Sequence, residues 1–200
     1  MFVVRASGLP TAKDFPDPWA REQAQREHGA TALVELGCAN DDVVLHGDCD
    51  EIPTAIVARN VCPRGYVALQ QRGHFWAVDY LYPPGWRGTV ASVAGNVKSF
   101  NSLRDARNVA PALPDAGWHL SWLGGAARAR TKLGDFCHPE AASQIDYGLR
   151  DGMNHFLEAG IHVDGVKMIP VDVDESWPRY VYERRCPANW FRPRERAAVA

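Results

Sequence analysis

The sequence predicts a single α/β domain, with a mixed, mostly parallel central sheet flanked by helices. Three observations lead there. Apolar runs of strand length alternate with stretches of helical period along most of the 200 residues. One run, Val43-Val44-Leu45, is continuous rather than alternating, as in a strand covered on both faces of a parallel sheet. No repeat, low-complexity stretch or linker interrupts the chain, and its length suits one domain that needs no disulfide or metal to fold.

In chain order, Phe2 to Arg5 reads as a short apolar strand. Asp14 to Pro18 is a loop into a helix, with Asp17 as N-cap and Pro18 at the first helical position. That helix carries Ala20, Ala24, Ala30, Leu33 and Val34 and stops at Gly37; Gly29 is placed to break it in two. After Val43–Leu45, Pro53 opens a second helix over Thr54 to Val61. Tyr66–Gln70, His74–Tyr82 and Gly88–Val93 are rich in aromatic and β-branched residues and read as an antiparallel or mixed strand section, with Pro83-Pro84-Gly85 as a turn between them. A helix over Val97–Arg107, a loop over Pro111–Pro114 and a strand over Gly117–Trp122 follow. Then come a basic helix, Ala126–Leu133, a longer helix with Ile145, Leu149, Phe156 and Leu157 on one face, and a last strand over Val166–Val171. Residues 177–200 read as an irregular tail.

Composition narrows the function. Lys and Arg number 22 against 24 Asp and Glu, a net charge of −2, which argues against a nucleic-acid binder working through a basic face. No apolar stretch reaches the ~18 residues of a membrane span, and the first residues do not read as a secretory signal. Five cysteines, Cys38, Cys49, Cys62, Cys137 and Cys186, form no C-x-x-C pair and suit reduced thiols. The expected setting is the cytoplasm, with peripheral membrane association as a variant.

The stretch His46-Gly47-Asp48-Cys49-Asp50-Glu51-Ile52-Pro53 follows the apolar strand directly, at the strand end where open α/β sheets bind ligands. In an extended backbone Asp48 and Asp50 point to the same side. Two hard oxygen donors there suit Mg²⁺ or Mn²⁺ shared with water and substrate phosphates. Any one of these acids could simply cap the next helix. Three acids in four positions favour the cation. Phosphoryl-transfer enzymes of the haloacid dehalogenase type use such a cluster, but Ile52 stands where they want Thr or Val, and Gly134-Asp135 is not followed by their further Asp.

Four blocks together resemble glycosyltransferase family 17. Asp48-Cys49-Asp50-Glu51-Ile52-Pro53 is similar to the family's Asp-x-Asp-Glu-Ile-Pro. Gly117-Trp118-His119-Leu120-Ser121-Trp122 with Gly124-Gly125 resembles its Gly-Trp-His-x-Ser-Trp/Tyr segment. Upstream, Trp19-Ala20-Arg21-Glu22 with Gln25-Arg26 resembles the Trp-x-Arg-Glu-x-x-Gln-Arg helix. Downstream, Lys132-Leu133 to Phe136 and His138-Pro139-Glu140 resemble a block of the bacterial members, which points to a bacterial or phage-type protein. About eighteen residues precede Trp19, fewer than members usually carry, so the resemblance implies a nucleotide half that is partly absent or built differently.

The resemblance implies a GT-A-like fold and an inverting, metal-dependent transfer of a sugar, by family default N-acetylglucosamine, from a UDP-sugar donor to a glycan or other hydroxyl acceptor. Asp50 would hold the metal directly, and Asp48 would hold it through water or bind the ribose. Glu51 is a weaker donor-site candidate that could instead cap the next helix. His119 would complete the metal shell, converging with Asp48 and Asp50 on one cleft, or be a packed core histidine. Trp118 could stack on a sugar, and Arg128 could meet a phosphate at the glycine-rich entry to its helix. The general base is sought among Glu140, Asp135 and His138. A phosphoryl-transfer enzyme and a non-catalytic sugar-binding relative are the competing readings.

Overall fold

The structure is a computed structural model that describes residues 17–135 and 158–192, together with Thr11, Lys13 and Phe156. The chain divides into two compact units. The first comprises Met1–Gln71 and Trp86–Gly117, the second Arg72–Gly85 and Trp118–Ala200.

The first unit opens with α1 (Pro18–Glu27), where the Asp17 carboxylate accepts the Trp19 N–H at 3.0 Å and proline occupies the first turn. His28 separates it from α2 (Gly29–Glu35), and Gly37 ends the pair at φ +64°. The glycine at the break has a packing reason: a Cβ on Gly29 would lie 2.7 Å from the Phe100 ring. Next come β1 (Val43–His46), β2 (Glu51–Pro53) and α3 (Ala55–Asn60). Pro53 therefore ends a strand instead of opening a helix, and Thr54 is the cap, its hydroxyl accepting the Val57 N–H at 3.2 Å. β1 is only partly buried, with Val43 42% exposed, so its unbroken apolar run does not mark a strand covered on both faces.

Two long strands, β3 (Val67–Phe75) and β4 (Tyr80–Val93), carry the sheet, followed by α4 (Phe100–Ala106), β5 (Ala112–Leu113), β6 (Gly117–Ser121), α5 (Gly125–Asp135) and β7 (Ile169–Pro170). Strands hydrogen-bond in the order β1-β4-β3-β6-β2, with β5 on β3 and β7 on β4. β1 and β7 run antiparallel to β4, while β5 and β6 run parallel to β3. Residues 76–79 join β3 to β4, a connection that suits only antiparallel neighbours. The sheet is mixed but mostly antiparallel, which corrects the expected mostly parallel one. The physical reason is that short join, which leaves no room for the crossover parallel neighbours need; Pro83-Pro84-Gly85 departs from expectation as well. These residues do not turn the chain but sit inside β4, where both prolines are exposed and Gly85 takes φ +69°. Proline cannot donate to a ladder and is tolerated where no partner strand needs its N–H.

The core of the first unit joins Val90, Phe100, Leu103 and Ala106, with Leu33, Val44, Tyr66 and Val97 packed on them. Ser99 caps α4 through its hydroxyl, and the Glu27 carboxylate accepts the Phe100 and Asn101 N–H groups at 3.0 and 2.9 Å. Burial opposes that charge, yet the Asn101 and Phe100 amides hold Glu27 below the usual carboxylate range. Arg26 pairs with Glu22 one turn away and donates to Asn101 at 3.2 Å, so the Arg and Glu of the α1 block tie that helix to α4.

In the second unit Trp76, Val78, Trp118, Leu120, Met168, Trp177 and Val181 are buried. Trp76 is held at φ +69°, its indole N–H donating to the Ile161 carbonyl at 3.1 Å, and its ring packs against Trp122, itself at φ +60°. The stretch after Trp177 contains a short helix, Arg179–Tyr182, and a 3₁₀ turn, Ala188–Trp190. Irregular elsewhere, it is nonetheless anchored. The Val78 N–H donates to the Trp190 carbonyl at 2.7 Å, and Arg192 binds the Asp79 carboxylate through its amide and Nε. The expected strand at Phe2–Arg5 lies outside the described residues, as does the expected long helix except for Phe156, which is helical, as are Glu158 and Ala159 just beyond it.

Candidate functional site

The acidic stretch sits where the sequence places it, directly after β1, but its backbone is not extended. The Glu51 N–H donates to the Asp48 carbonyl at 2.9 Å, closing a turn with Cys49 and Asp50 at its corners. The period-two argument for Asp48 and Asp50 sharing a side therefore does not apply. The turn is closed a second time by a side chain, because the Glu51 carboxylate accepts the Asp48 N–H at 3.1 Å.

Glu51 is the hub of this site. Its side chain is fully buried, and both oxygens are occupied by protein donors. Oε1 accepts from the Trp86 indole N–H at 2.8 Å and from Arg104 Nη1 at 3.0 Å. Oε2 accepts from the Asp48 amide and lies 3.4 Å from the Thr89 hydroxyl. Two glycines make room for it. A Cβ on Gly47 would fall 2.7 Å from Glu51 Oε2, and one on Gly88 would fall 2.8 Å from Glu51 Cδ. Glu51 does not cap α3; Thr54 does.

Arg104 reaches further. Its Nη2 binds Asp48 Oδ2, so one buried guanidinium holds two carboxylates of the turn. Asp48 is half exposed beyond that contact, and Asp50 is partly exposed. Their oxygens are hard donors of the kind that bind Mg²⁺ or Mn²⁺, and such ions usually take one or two carboxylates plus substrate phosphate and water. Arg104, Arg107 and Arg26 all act on this turn, so what fits a cation is the chemistry of two partly exposed carboxylates, Asp48 and Asp50, rather than an excess of negative charge. Among the described residues no group of three or more His, Cys, Asp or Glu side chains could by itself hold a metal ion. Next to the turn, burial first and then the charges of Arg104 and Arg26 lower His46 to about 4, so its ring is neutral near pH 7.

The glycine of the second motif also belongs to the first unit. Gly117 adopts φ +151°, and a Cβ there would lie 2.1 Å from the Ile52 carbonyl oxygen. Only glycine lets the start of β6 lie this close to β2. The rest of the motif belongs to the second unit. His119 is 4% exposed, with the Phe75 ring edge-on at 5.2 Å. Trp118 is equally buried; the Arg72 guanidinium lies 5.0 Å over its ring and Trp177 stacks at 6.2 Å. Arg128 is exposed on α5, and Lys132 donates to the Ser121 hydroxyl at 2.8 Å. Asp135 is the last residue of α5, its side chain outside the description, and His138 and Glu140 lie outside the described residues.

A model of glycosyltransferase family 17 matches residues 4–175. The chain belongs to that family. As a family 17 member it is a glycosyltransferase, with a sugar donor and an acceptor as substrates, and the phosphoryl-transfer reading falls away. No curated protein and no solved structure matches the chain. Among the described residues no helix is long and apolar enough to cross a membrane.

Two groups of polar residues escaped the sequence reading. One is Arg104 with Trp86 and Thr89. A signal was present, since Arg104 falls on the helical face of Phe100 and Leu103, where a charge implies a buried partner. The other, in the second unit, joins Tyr82, His162 and Asp164. The Tyr82 hydroxyl donates to Asp164 Oδ2 at 2.6 Å, and His162 Nδ1 lies 2.8 Å from Asp164 Oδ1. Burial and the Asp164 bond push the Tyr82 phenol up to about 12. Asp164 also takes the Val166 N–H at 3.0 Å, which makes it a turn former.

Proposed function

We propose that the protein is a metal-dependent, inverting glycosyltransferase with a GT-A-like fold. It moves a sugar, N-acetylglucosamine, from a UDP-sugar to a hydroxyl of a glycan or other acceptor. Membership of family 17 is the observation that carries this reading. The position of the Asp48–Glu51 turn, at the end of β1 with two partly exposed aspartates, supports its metal half. Asp50 takes Mn²⁺ or Mg²⁺ directly, and Asp48 binds it through water or holds the ribose. When bound, the cation neutralises the charge that builds on the leaving diphosphate. Arg128, exposed near the start of α5, adds a cation for phosphate. Glu140 removes the acceptor's proton as general base, with Asp135 and His138 as the other candidates in that segment. Free thiols at Cys38, Cys49, Cys62 and Cys186 support a cytoplasmic setting.

The test is turnover without acceptor. Incubated with UDP-N-acetylglucosamine, the protein should release UDP slowly in Mn²⁺ and not in EDTA. UDP release that is the same in EDTA would contradict the metal-dependent reading. Sugar binding without release, even when acceptor glycans are added, would point to a relative that has lost catalysis.

A further inference from the structure

We infer that Arg104 is the positioning residue of the metal-binding turn: it holds Asp48 in place through a buried charge relay anchored on Glu51. The inference rests on the proposed metal role of Asp48 and Asp50 and adds the device that orients them.

Arg104 sits on the buried face of α4, with its side chain 8% exposed. Its fork divides between two acids. Nη1 binds Glu51 at 3.0 and 3.3 Å, and Nη2 binds Asp48 Oδ2. Glu51 in turn takes the Asp48 amide and the Trp86 indole, so both the backbone and the side chain of Asp48 end on one rigid pair. Packing alone does not call for this arrangement. A buried ion pair is often no more stabilising than apolar residues of similar volume, and its better-attested use is to fix one arrangement. Here the arrangement fixed is the half-exposed carboxylate of Asp48, the first residue of the turn. Residues behind a metal ligand act in this way, and changing them typically weakens metal binding 10–100-fold. The planar fork matters, because a lysine ammonium is a point charge that cannot hold both acids in the same geometry.

Arg104→Lys is the informative variant. It keeps a positive charge beside buried Glu51 and so keeps the fold, which thermal unfolding checks. Arg104→Gln strands Glu51 and serves only as the destabilised extreme. Two readouts are made on the full chain. The first is Mn²⁺ affinity by electron paramagnetic resonance, without donor or acceptor. The second is the alkylation rate of Cys49, the exposed thiol between the two aspartates, followed site by site by mass spectrometry with exposed Cys62 as internal control.

With a normal unfolding midpoint, Arg104→Lys should bind Mn²⁺ at least about tenfold more weakly than wild type. In an Asp48→Asn background the same change should add nothing, since both act through one carboxylate. Equal affinity, or fully additive losses, would overturn the positioning role while leaving the metal site standing. If wild type binds no Mn²⁺, the metal reading fails, and Cys49 decides the rest. Alkylation several-fold faster in Arg104→Lys, with Cys62 unchanged, keeps Arg104 as the residue that orders the turn. An unchanged rate removes that role as well.

Discussion

Asp50 lies partly exposed at the corner of a turn, so losing its charge should cost chemistry rather than structure. Asp50→Asn is expected to abolish Mn²⁺-dependent donor binding in calorimetry. The fold should survive the change, which thermal unfolding checks. Glu51 is the opposite case. Glu51→Ala removes the acceptor of four protein groups and leaves the Arg104 guanidinium buried with Asp48 alone, which should cost about 3–5 kcal/mol in denaturant unfolding. At the proposed base, Glu140→Gln should cut turnover ~10²–10⁴-fold with donor affinity unchanged, while the same kind of change at Asp146 does little. If only Asp135→Asn loses turnover, the role belongs to Asp135. Histidines set the pH behaviour. Burial and then Arg104 lower His46 to about 4, and burial and then Arg72 lower His74 to about 3. Both have a reference value of 6.5, so the unfolded chain binds more protons below it. Their contribution to stability is complete above about pH 6.5 and is lost as pH falls toward 4 and then 3. The unfolding midpoint should drop across that window, and His74→Gln should flatten the drop. A midpoint constant from pH 7 to pH 4 would contradict it.

Elements whose signals are local were legible in the sequence. Asp17, Pro18 and Gly37 bound the first helical pair, and Gly29 marks its break, because capping and left-handed backbone are properties of single residues. β6 and the position of the acidic turn after β1 were legible for the same reason. The middle strands read as antiparallel or mixed, as they are, but the direction of the sheet as a whole was not legible. Pro83-Pro84-Gly85 carries the local chemistry of a turn, and only pairing with distant strands shows that it lies within β4. The relay behind Asp48 was equally hidden, since Arg104 meets its acids across 53 and 56 residues. The glycine of the Gly-Trp-His segment was legible as part of a motif but not as a contact. Its role follows from the Ile52 carbonyl, which leaves no room for a Cβ at Gly117. Gly117→Ala should therefore destabilise the fold by about 1–3 kcal/mol or more, read by denaturant unfolding, from strain and overpacking together. A substitution tolerated without loss would mean that β2 and β6 separate easily.

For the molecule as a whole, the family 17 match makes it an enzyme that transfers a sugar. The resemblance of four short blocks, spread from Trp19 to Glu140, was enough to find the family because their order and spacing are jointly specific. It could not supply the sheet's mostly antiparallel direction or the burial of Glu51, which depend on what the rest of the chain packs around those blocks. In the proposed reaction a divalent cation at the Asp48–Glu51 turn joins the protein to the donor diphosphate. Calorimetric titration of UDP-N-acetylglucosamine into the wild-type protein tests it most directly. Saturable binding in Mn²⁺ that disappears in EDTA is the expected result. Binding of the same affinity in EDTA would contradict it.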